Sequence, residues 1–272
     1  MLATPIGTAR DITLRALDVL NSADILAAED TRRMRHLLDI QGVPLRGRRI
    51  VAYHDHNEAK AGPELLAALA EGCSVAYASD AGTPLVADPG FRLGREALAA
   101  GYRVHAVPGA SAALAALTVS GLPSDKFLFA GFPPVAKSAR RRWLQDWTSH
   151  KATAIIFESP RRINQTLEIF CETIPEREMV LCRELTKRFE EVMRGTAADI
   201  RAKLPDDGPK GEIVLLVGAA PDDVPVAADV DALLRDALAR LSLRDASDEV
   251  AARLGMKRRE VYTRALELGK EE

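Results

Sequence analysis

Three turns of small residues, each beside an apolar run, constrain this chain more than any other feature. Val75-Ala76-Tyr77-Ala78 reads as a buried strand and leads into Ser79-Asp80-Ala81-Gly82-Thr83-Pro84, with Asp88-Pro89-Gly90 close behind. Gly82 accepts a positive φ without penalty, and Pro84 and Pro89 stiffen the loop on either side. The chain opens on Ala3-Thr4-Pro5-Ile6-Gly7, and Val107-Pro108-Gly109-Ala110-Ser111-Ala112 closes the strand-like stretch 102–107. Rigid turns at the carboxyl ends of strands are where open α/β sheets bind ligands. The three together predict parts of one cleft, although any α/β protein needs tight turns for purely structural reasons.

The segments between these turns alternate accordingly. Leu14, Leu17 and Leu20 predict a helix within 11–20, and Met34, Leu37 and Leu38 another over 31–38. Strands at 24–28, 50–53, 75–78 and 104–107, with helices at 64–70, 91–100 and 111–119, complete the order. Residues 1–121 therefore read as an α/β domain with a mostly parallel sheet and helices on both faces. Leu122-Pro123-Ser124-Asp125 reads as a linker. Strands at 127–132, 153–157, 179–182, 189–194 and 212–217, among helices at 137–149, 161–170 and from Thr196, imply a mixed α+β domain over 122–218. The Pro- and Asp-rich stretch 219–225 reads as a second linker. The tail, 229–272, is helical. Two short helices around Gly255 suggest a helix-turn-helix, with a plain helical hairpin as the alternative.

The 272 residues, 47% hydrophobic and 28% charged, fit a soluble globular protein of one large or two ordinary domains. A net charge of −2 excludes a uniformly basic surface, while leaving local basic patches open. From Ser242 onward seven basic residues are balanced by seven acidic ones. Cys73, Cys171 and Cys182 lie in separate apolar stretches without metal-ligand spacing, as expected of reduced thiols in the cytoplasm. Met1-Leu2 runs straight into a polar turn, so no signal peptide is expected, and no apolar run is long enough to span a membrane.

Several polar clusters sit where strands end. Glu29 and Asp30 follow the strand at 24–28; one could act as a base or hold a ligand hydroxyl, or Asp30 or Thr31 could simply cap the next helix. Tyr53-His54-Asp55-His56-Asn57-Glu58 offers a His-x-His pair, but no second His or Cys cluster completes a metal site, so no metal is expected. A polar recognition loop is the better reading, with a solvated turn as the bland one. Glu158-Ser159-Pro160-Arg161-Arg162, Arg183-Glu184-Leu185-Thr186-Lys187 and Pro209-Lys210-Gly211-Glu212 bring cations to strand ends, for phosphates or for surface ion pairs. Lys137, Arg140, Arg141 and Arg142 with Trp143 and Trp147 make a basic helix suited either to an RNA backbone or to a tryptophan-faced core contact. Phosphate-loop, dinucleotide and nucleophile-elbow motifs are missing. The residues alone give a two-domain α/β enzyme with a ligand cleft, its reaction undetermined.

The ordered set of motifs says more. Ala-Thr-Pro-Ile-Gly at 3–7, Ala-Glu-Asp-Thr-Arg at 28–32, Tyr-His-Asp-His-Asn-Glu at 53–58, Ser-Asp-Ala-Gly-Thr-Pro at 79–84 and Pro-Gly-Ala-Ser-Ala at 108–112 occur in sequence. Phe-Glu-Ser-Pro-Arg-Arg at 157–162, Arg-Glu-Leu-Thr-Lys at 183–187 and Lys-Gly-Glu-Ile-Val at 210–214 complete them. Over residues 1 to 218 the chain resembles the bacterial 16S rRNA (cytidine-2′-O)-methyltransferases of the tetrapyrrole methylase superfamily. Each motif alone is weak; the ordered set is specific. Gly82-Thr83-Pro84 stands where the superfamily has Gly-Asp-Pro, a variant that fits the rRNA branch better than the porphyrin or corrin branch. The chain departs from the family in having only Met1-Leu2 before the first turn, which implies a short first strand, and in carrying Thr8 for the common Asn.

The resemblance implies a two-domain fold, a homodimer, and S-adenosyl-L-methionine bound in the cleft between the domains. It implies a cytidine of the decoding region, in 16S rRNA of the small ribosomal subunit, as the target. Pro5, Gly7, Asp80, Gly82, Thr83, Pro84, Val86, Ser111, Ala112, Leu185, Lys210 and Gly211 would line the cofactor site. Glu29, Asp30, Glu184 and Lys187 are the candidates for activating the 2′-hydroxyl, by proton removal or charge stabilisation. Arg32, His54, His56, Asn57, Arg161 and Arg183 would recognise RNA or order the cleft. The competing readings are a tetrapyrrole methyltransferase of the same fold and a non-enzymatic RNA-binding protein.

Overall fold

A computed structural model describes residues 1–147, 149–221, 227–254 and 256–271. The chain forms two compact units, Met1–Ala220 and Pro221–Glu272. Residues 222–225 of the second expected linker and Gly255 of the expected helix-turn-helix lie outside the described residues.

The first sheet of unit 1 has the order β2-β1-β3, from β1 (Ile25–Ala28), β2 (Ile50–Ala52) and β3 (Val75–Ala78), and all pairings are parallel. Leu26, Ala27, Ala28, Ala76, Tyr77 and Ala78 are all buried, the continuous apolar run expected of strands covered on both faces. Helix α1 (Leu14–Ser22) precedes these strands, α2 (Thr31–Gln41) and α3 (Glu58–Ala70) connect them, and α4 (Phe91–Ala99) follows. Thr13 caps α1 through the Ala16 N–H, Asp30 caps α2 through the Arg32 N–H, and Gly42 ends α2 with φ +67°.

The opening residues join this sheet. Leu2 bridges Ala78 and Val107 in parallel, donating its N–H to Tyr77 at 2.8 Å. The strand expected over 104–107 does not form; Val107 alone makes the bridge. Its partners are Met1 and Ala3 at the chain opening, and the Arg15 guanidinium takes the Ala106 carbonyl. A cavity of about 490 Å³ lies here, lined by Val75, Ala76, Leu93, Tyr102 and Val104. Helix α3 starts six residues earlier than its expected start at Glu64. The Asn57 side chain closes the preceding turn, accepting from the His54 N–H at 2.8 Å and donating to the Ala52 carbonyl at 2.9 Å. Pro63 lies inside this helix, in its second turn, where it has no N–H to donate to the carbonyl four residues back.

The second sheet has the order β4-β5-β8-β6-β7, from β4 (Phe127–Gly131), β5 (Thr153–Glu158), β6 (Met179–Arg183), β7 (Glu191–Gly195) and β8 (Ile213–Val217). Only β4 and β5 are parallel, so the sheet is mixed, as expected. Side chains alternate between its faces. Ile156, Leu181 and Leu215 pack with Leu167 and Phe170 of α7 (Ile163–Thr173), while Ile155, Val180 and Leu216 meet Ala113, Ala116 and Leu117 of α5 (Ala112–Ser120). Each buried Val, Leu, Ile or Phe among them contributes about 1.5–3 kcal/mol. Because Ile6 and Leu185 join the α5 layer, the first turn of the chain is anchored on the second sheet. Thr196 and Asp199 form a capping box ahead of α8 (Ala197–Arg201).

The basic helix α6 (Lys137–Gln145) is four residues shorter than expected. Arg140 is buried and binds the carbonyls of Pro134 and Val135, so it is no surface cation; Trp143 and Trp147 pack on the core, which is the structural alternative.

Unit 2 consists of α9 (Ala227–Leu238), α10 (Leu243–Leu254) and α11 (Arg258–Glu271). Leu234, Ala246, Val250, Val261 and Ala265 form its core.

Candidate functional site

The three small-residue turns converge. Thr4 and Gly82 exchange backbone hydrogen bonds of 2.9 and 3.0 Å, and the Thr4 hydroxyl donates to the Ser79 carbonyl at 3.2 Å. The Thr83 hydroxyl donates to the Ala110 carbonyl at 2.9 Å, fastening the 79–84 loop to the 107–112 turn. Within the loop Leu85 and Ala87 take positive φ of 74° and 61°, backbone strain of the kind kept at functional sites.

These turns border a cleft of about 440 Å³. Of the expected site residues, Glu29, Asp80, Gly82, Thr83, Val86, Ser111, Ala112 and Gly211 line it. Pro5, Gly7, Asp30 and Asp80 line an adjoining recess of about 260 Å³. Pro84 is buried behind the loop, and Leu185 is buried beside Ile6. Lys210 is exposed, its carbonyl accepting from Arg183. The lining also includes Arg33, Asp88, Phe132, Phe157, Glu158 and Glu212, which sequence reasoning gave no site role. Asp88 carried a signal in its Asp-Pro-Gly context at the end of the loop; Phe132 carried none.

The remaining candidates occupy separate loops. Asp30 is engaged as the α2 cap and pairs with exposed Arg32 at 2.9 Å. His54 and His56 meet edge to face, centroids 6.1 Å apart, and Arg161 is exposed. Glu184 and Thr186 take positive φ of 51° and 64°. The Lys187 ammonium bridges Glu184 at 2.9 Å and Glu212 at 3.0 Å, and the Glu212 N–H donates back to Glu184 at 2.9 Å. This network sets the 184–187 loop against the cleft lining at Glu212 and against Thr8, whose hydroxyl donates to the Thr186 carbonyl.

Carboxylates dominate the cleft. Burial raises the Glu29 carboxyl above its ordinary range, helped by the charges of Asp80 and Asp55. Burial pushes Asp88 up to about 6, with Glu29, Asp80 and Asp55 adding to the rise and a Ser79 hydrogen bond opposing it. Hydrogen bonds from Arg32 hold Asp30 down at about 2. Lys187 lowers Glu184, and the two carboxylates it bonds raise Lys187 despite burial. Clustered acids resist ionising together, and a cation among them relieves the repulsion. A cavity of this size, with apolar Ile6, Val86 and Val214 beside these acids, therefore suits a small ligand that carries a positive charge. S-adenosylmethionine carries such a charge on its sulfonium, and the acidic lining present fits it.

Residues 1–201 match the family described as Tetrapyrrole (Corrin/Porphyrin) Methylases, and residues 224–269 match one described as the RsmI C-terminal HTH domain. The chain is 51% identical to the "Ribosomal RNA small subunit methyltransferase I" of Mesorhizobium japonicum, across 98% of this chain and 91% of that protein. It is 42% identical to the protein of the same name from Escherichia coli O157:H7, across 98% and 94%. A Thermus thermophilus uroporphyrin-III-C-methyltransferase superposes with TM-score 0.54 at 25% identity, over 80% of this chain and 92% of that one. The methyltransferase CobJ superposes with TM-score 0.61 at 20% identity, over 80% and 92%, a likeness of fold alone.

Proposed function

Since this chain belongs to the tetrapyrrole (corrin/porphyrin) methylase family, we propose that it methylates the ribose 2′-oxygen of a cytidine in the decoding region of 16S rRNA, within the small ribosomal subunit. The methyl donor in this reading is S-adenosyl-L-methionine, which supplies an electrophilic methyl on a positively charged sulfur. The observation that carries it is the acidic cleft itself, where three backbone turns converge beside Glu29, Asp80 and Asp88. The names of the relatives supply the substrate class.

Gly82, Thr83, Val86, Ser111, Ala112 and Gly211 would hold the donor, with Pro5, Gly7, Asp80 and Pro84 shaping the turns and Leu185 and Lys210 closing them. Among the activating candidates Glu29 suits proton removal best, because a raised carboxyl pKa brings a base nearer to neutral pH. Asp30 is spent on its cap, and Glu184 on Lys187. Lys187, held cationic, suits stabilisation of a developing alkoxide. Arg32, His54, His56 and Arg161 offer polar contacts to RNA, while Asn57 and Arg183 order their loops. Cleft alignment of the 2′-oxygen with the donor methyl supplies the rest of the acceleration. In the same reading residues 1–121 and 122–218 act as two lobes about the cleft, and the protein works as a cytoplasmic homodimer.

Transfer of radiolabelled methyl from S-adenosylmethionine to small subunits lacking the modification, followed by nucleoside analysis, tests the proposal. Label in 2′-O-methylcytidine is expected. Labelled tetrapyrrole and unlabelled RNA would establish the small-molecule alternative instead.

A further inference from the structure

Strand β4 ends in an irregularity. Its register against β5 shifts between Phe129 and Gly131, and Gly131 takes φ +70°. Bulges of this kind re-aim the residues that follow. The next residue, Phe132, lines the cleft with 53% of its surface exposed. Its ring stands edge-on to Phe157 at 5.6 Å, and Phe157 stands edge-on to Phe129 at 4.9 Å.

The loop that carries the ring is fastened from below. Arg162 donates to the Pro133 carbonyl at 3.3 Å, and buried Arg140 donates to Pro134 at 3.2 Å and Val135 at 2.8 Å. Arg162 in turn pairs at 2.8 Å with Glu158, whose buried carboxylate also takes the Ser159 N–H and the Thr166 hydroxyl. Two arginines and a buried carboxylate thus fasten a short loop that begins with an exposed aromatic face.

We propose that Phe132 is the stacking platform for the target nucleobase, a positioning residue for methyl transfer to RNA. The inference rests on the function proposed above and specifies how its substrate enters. RNA is recognised by splaying bases out of the strand and stacking them on aromatic rings. The carboxylates of the cleft outnumber its lining cation, Arg33, and disfavour phosphate, so entry base first is favoured over entry backbone first. A base carries no charge, and a rigid phenyl face is the contact an acidic cleft offers to it. Because stacking tolerates any base, Phe132 sets the depth and orientation of the nucleotide rather than its identity.

The test uses the full chain. Phe132→Ala is expected to lower kcat/KM for unmodified small subunits about ten- to a hundredfold. S-adenosylmethionine affinity by calorimetry and the thermal midpoint are expected to match the parent. Phe132→Tyr and Phe132→Trp are expected to recover most of the loss. Phe132→Trp also reports directly: a short cytidine-containing RNA is expected to quench its fluorescence beyond any change from Trp143 and Trp147. Full activity in Phe132→Ala, or no additional quench in Phe132→Trp, overturns the platform. So does a parallel loss of cofactor affinity, which would put the ring at the cofactor end. A parent protein that methylates no RNA overturns the proposed reaction instead, and the quench still decides the platform.

Discussion

The carboxylate of Asp80 accepts the backbone N–H of Asp30 at 2.9 Å, fastening the end of β3 to the end of β1. The clasp is reciprocal, for the Asp80 N–H points to the Glu29 carboxylate at 3.4 Å, and Arg33 approaches the other Asp80 oxygen at the same distance. Two strand termini that carry the acids of the cleft are thereby held in one geometry.

Asp80→Ala removes an acceptor that a part-buried N–H depends on and frees the turn that follows Glu29. Weakening of S-adenosylmethionine binding by about tenfold or more is expected, from the loss of a charged hydrogen bond. Asp80→Asn keeps an oxygen for Asp30 and is expected to lose less. Calorimetric titration of both variants, beside their thermal midpoints, separates the clasp from the charge.

Much of this was legible from residue types. The parallel order of the first sheet follows from strands that are apolar throughout, and the convergence of three turns follows from Gly82, Pro84 and Ser111 at strand ends. Other features depend on contacts that spacing cannot express. The stretch 104–107 has strand-forming residues, but it bridges the short chain opening, Met1 to Ala3, at Val107 alone, and Arg15 takes the Ala106 carbonyl. Arg140 looks like a surface cation beside Arg141 and Arg142 until the Pro134 and Val135 carbonyls bury it. Phe132 reads as the end of the strand at 127–132, because a bulge leaves no trace in a run of apolar residues. The raised Asp88 pKa likewise depends on which other acids the fold brings near it.

That cluster sets a pH dependence. Asp88 titrates at about 6 in the folded protein, above its ordinary value of 3.8. Between those values the folded state keeps a proton that the unfolded chain has lost, so stability falls as pH rises through this window and levels off above about 6. Cofactor binding should run the opposite way. A cationic ligand prefers the ionised carboxylate, so affinity is expected to rise with pH through about 6 and then plateau. Proton release on binding, read by calorimetry in buffers of different ionisation enthalpy, checks this. Asp88→Asn is expected to flatten both profiles.

Glu29 stands at the carboxyl end of β1 with a carboxyl raised by burial, while Asp30 beside it is lowered by Arg32. Glu29→Gln keeps the size and the hydrogen-bonding capacity but cannot take a proton. For a general base, the turnover rate is expected to fall by roughly two to four orders of magnitude, with cofactor affinity changed only a few-fold. Lys187→Met is expected to slow turnover without moving the acidic limb of the pH profile. Single-turnover methyl transfer as a function of pH distinguishes the two roles. An unchanged acidic limb in Glu29→Gln would exclude it as the base.

Gly7 tests how closely the first turn approaches the second sheet. A Cβ at this position would lie 2.5 Å from the Thr186 hydroxyl, 2.6 Å from Lys187 Cγ and 3.0 Å from the Leu185 carbonyl. Overpacking of this kind costs about 1–3 kcal/mol. The Lys187 stem can move aside, but the Leu185 carbonyl is backbone, and Thr186 already carries a positive φ of 64°. Gly7→Ala should therefore push the 184–187 loop away from the cleft, lowering both the thermal midpoint and the affinity for S-adenosylmethionine. Thr186→Gly removes the clashing hydroxyl and relaxes the backbone at once, so adding it to Gly7→Ala should restore part of both losses. A double-mutant cycle over the two positions is expected to give a coupling energy well above the few tenths of a kcal/mol found for independent sites. Additive effects would mean that the two loops do not depend on each other, and that Gly7 acts only within its own turn.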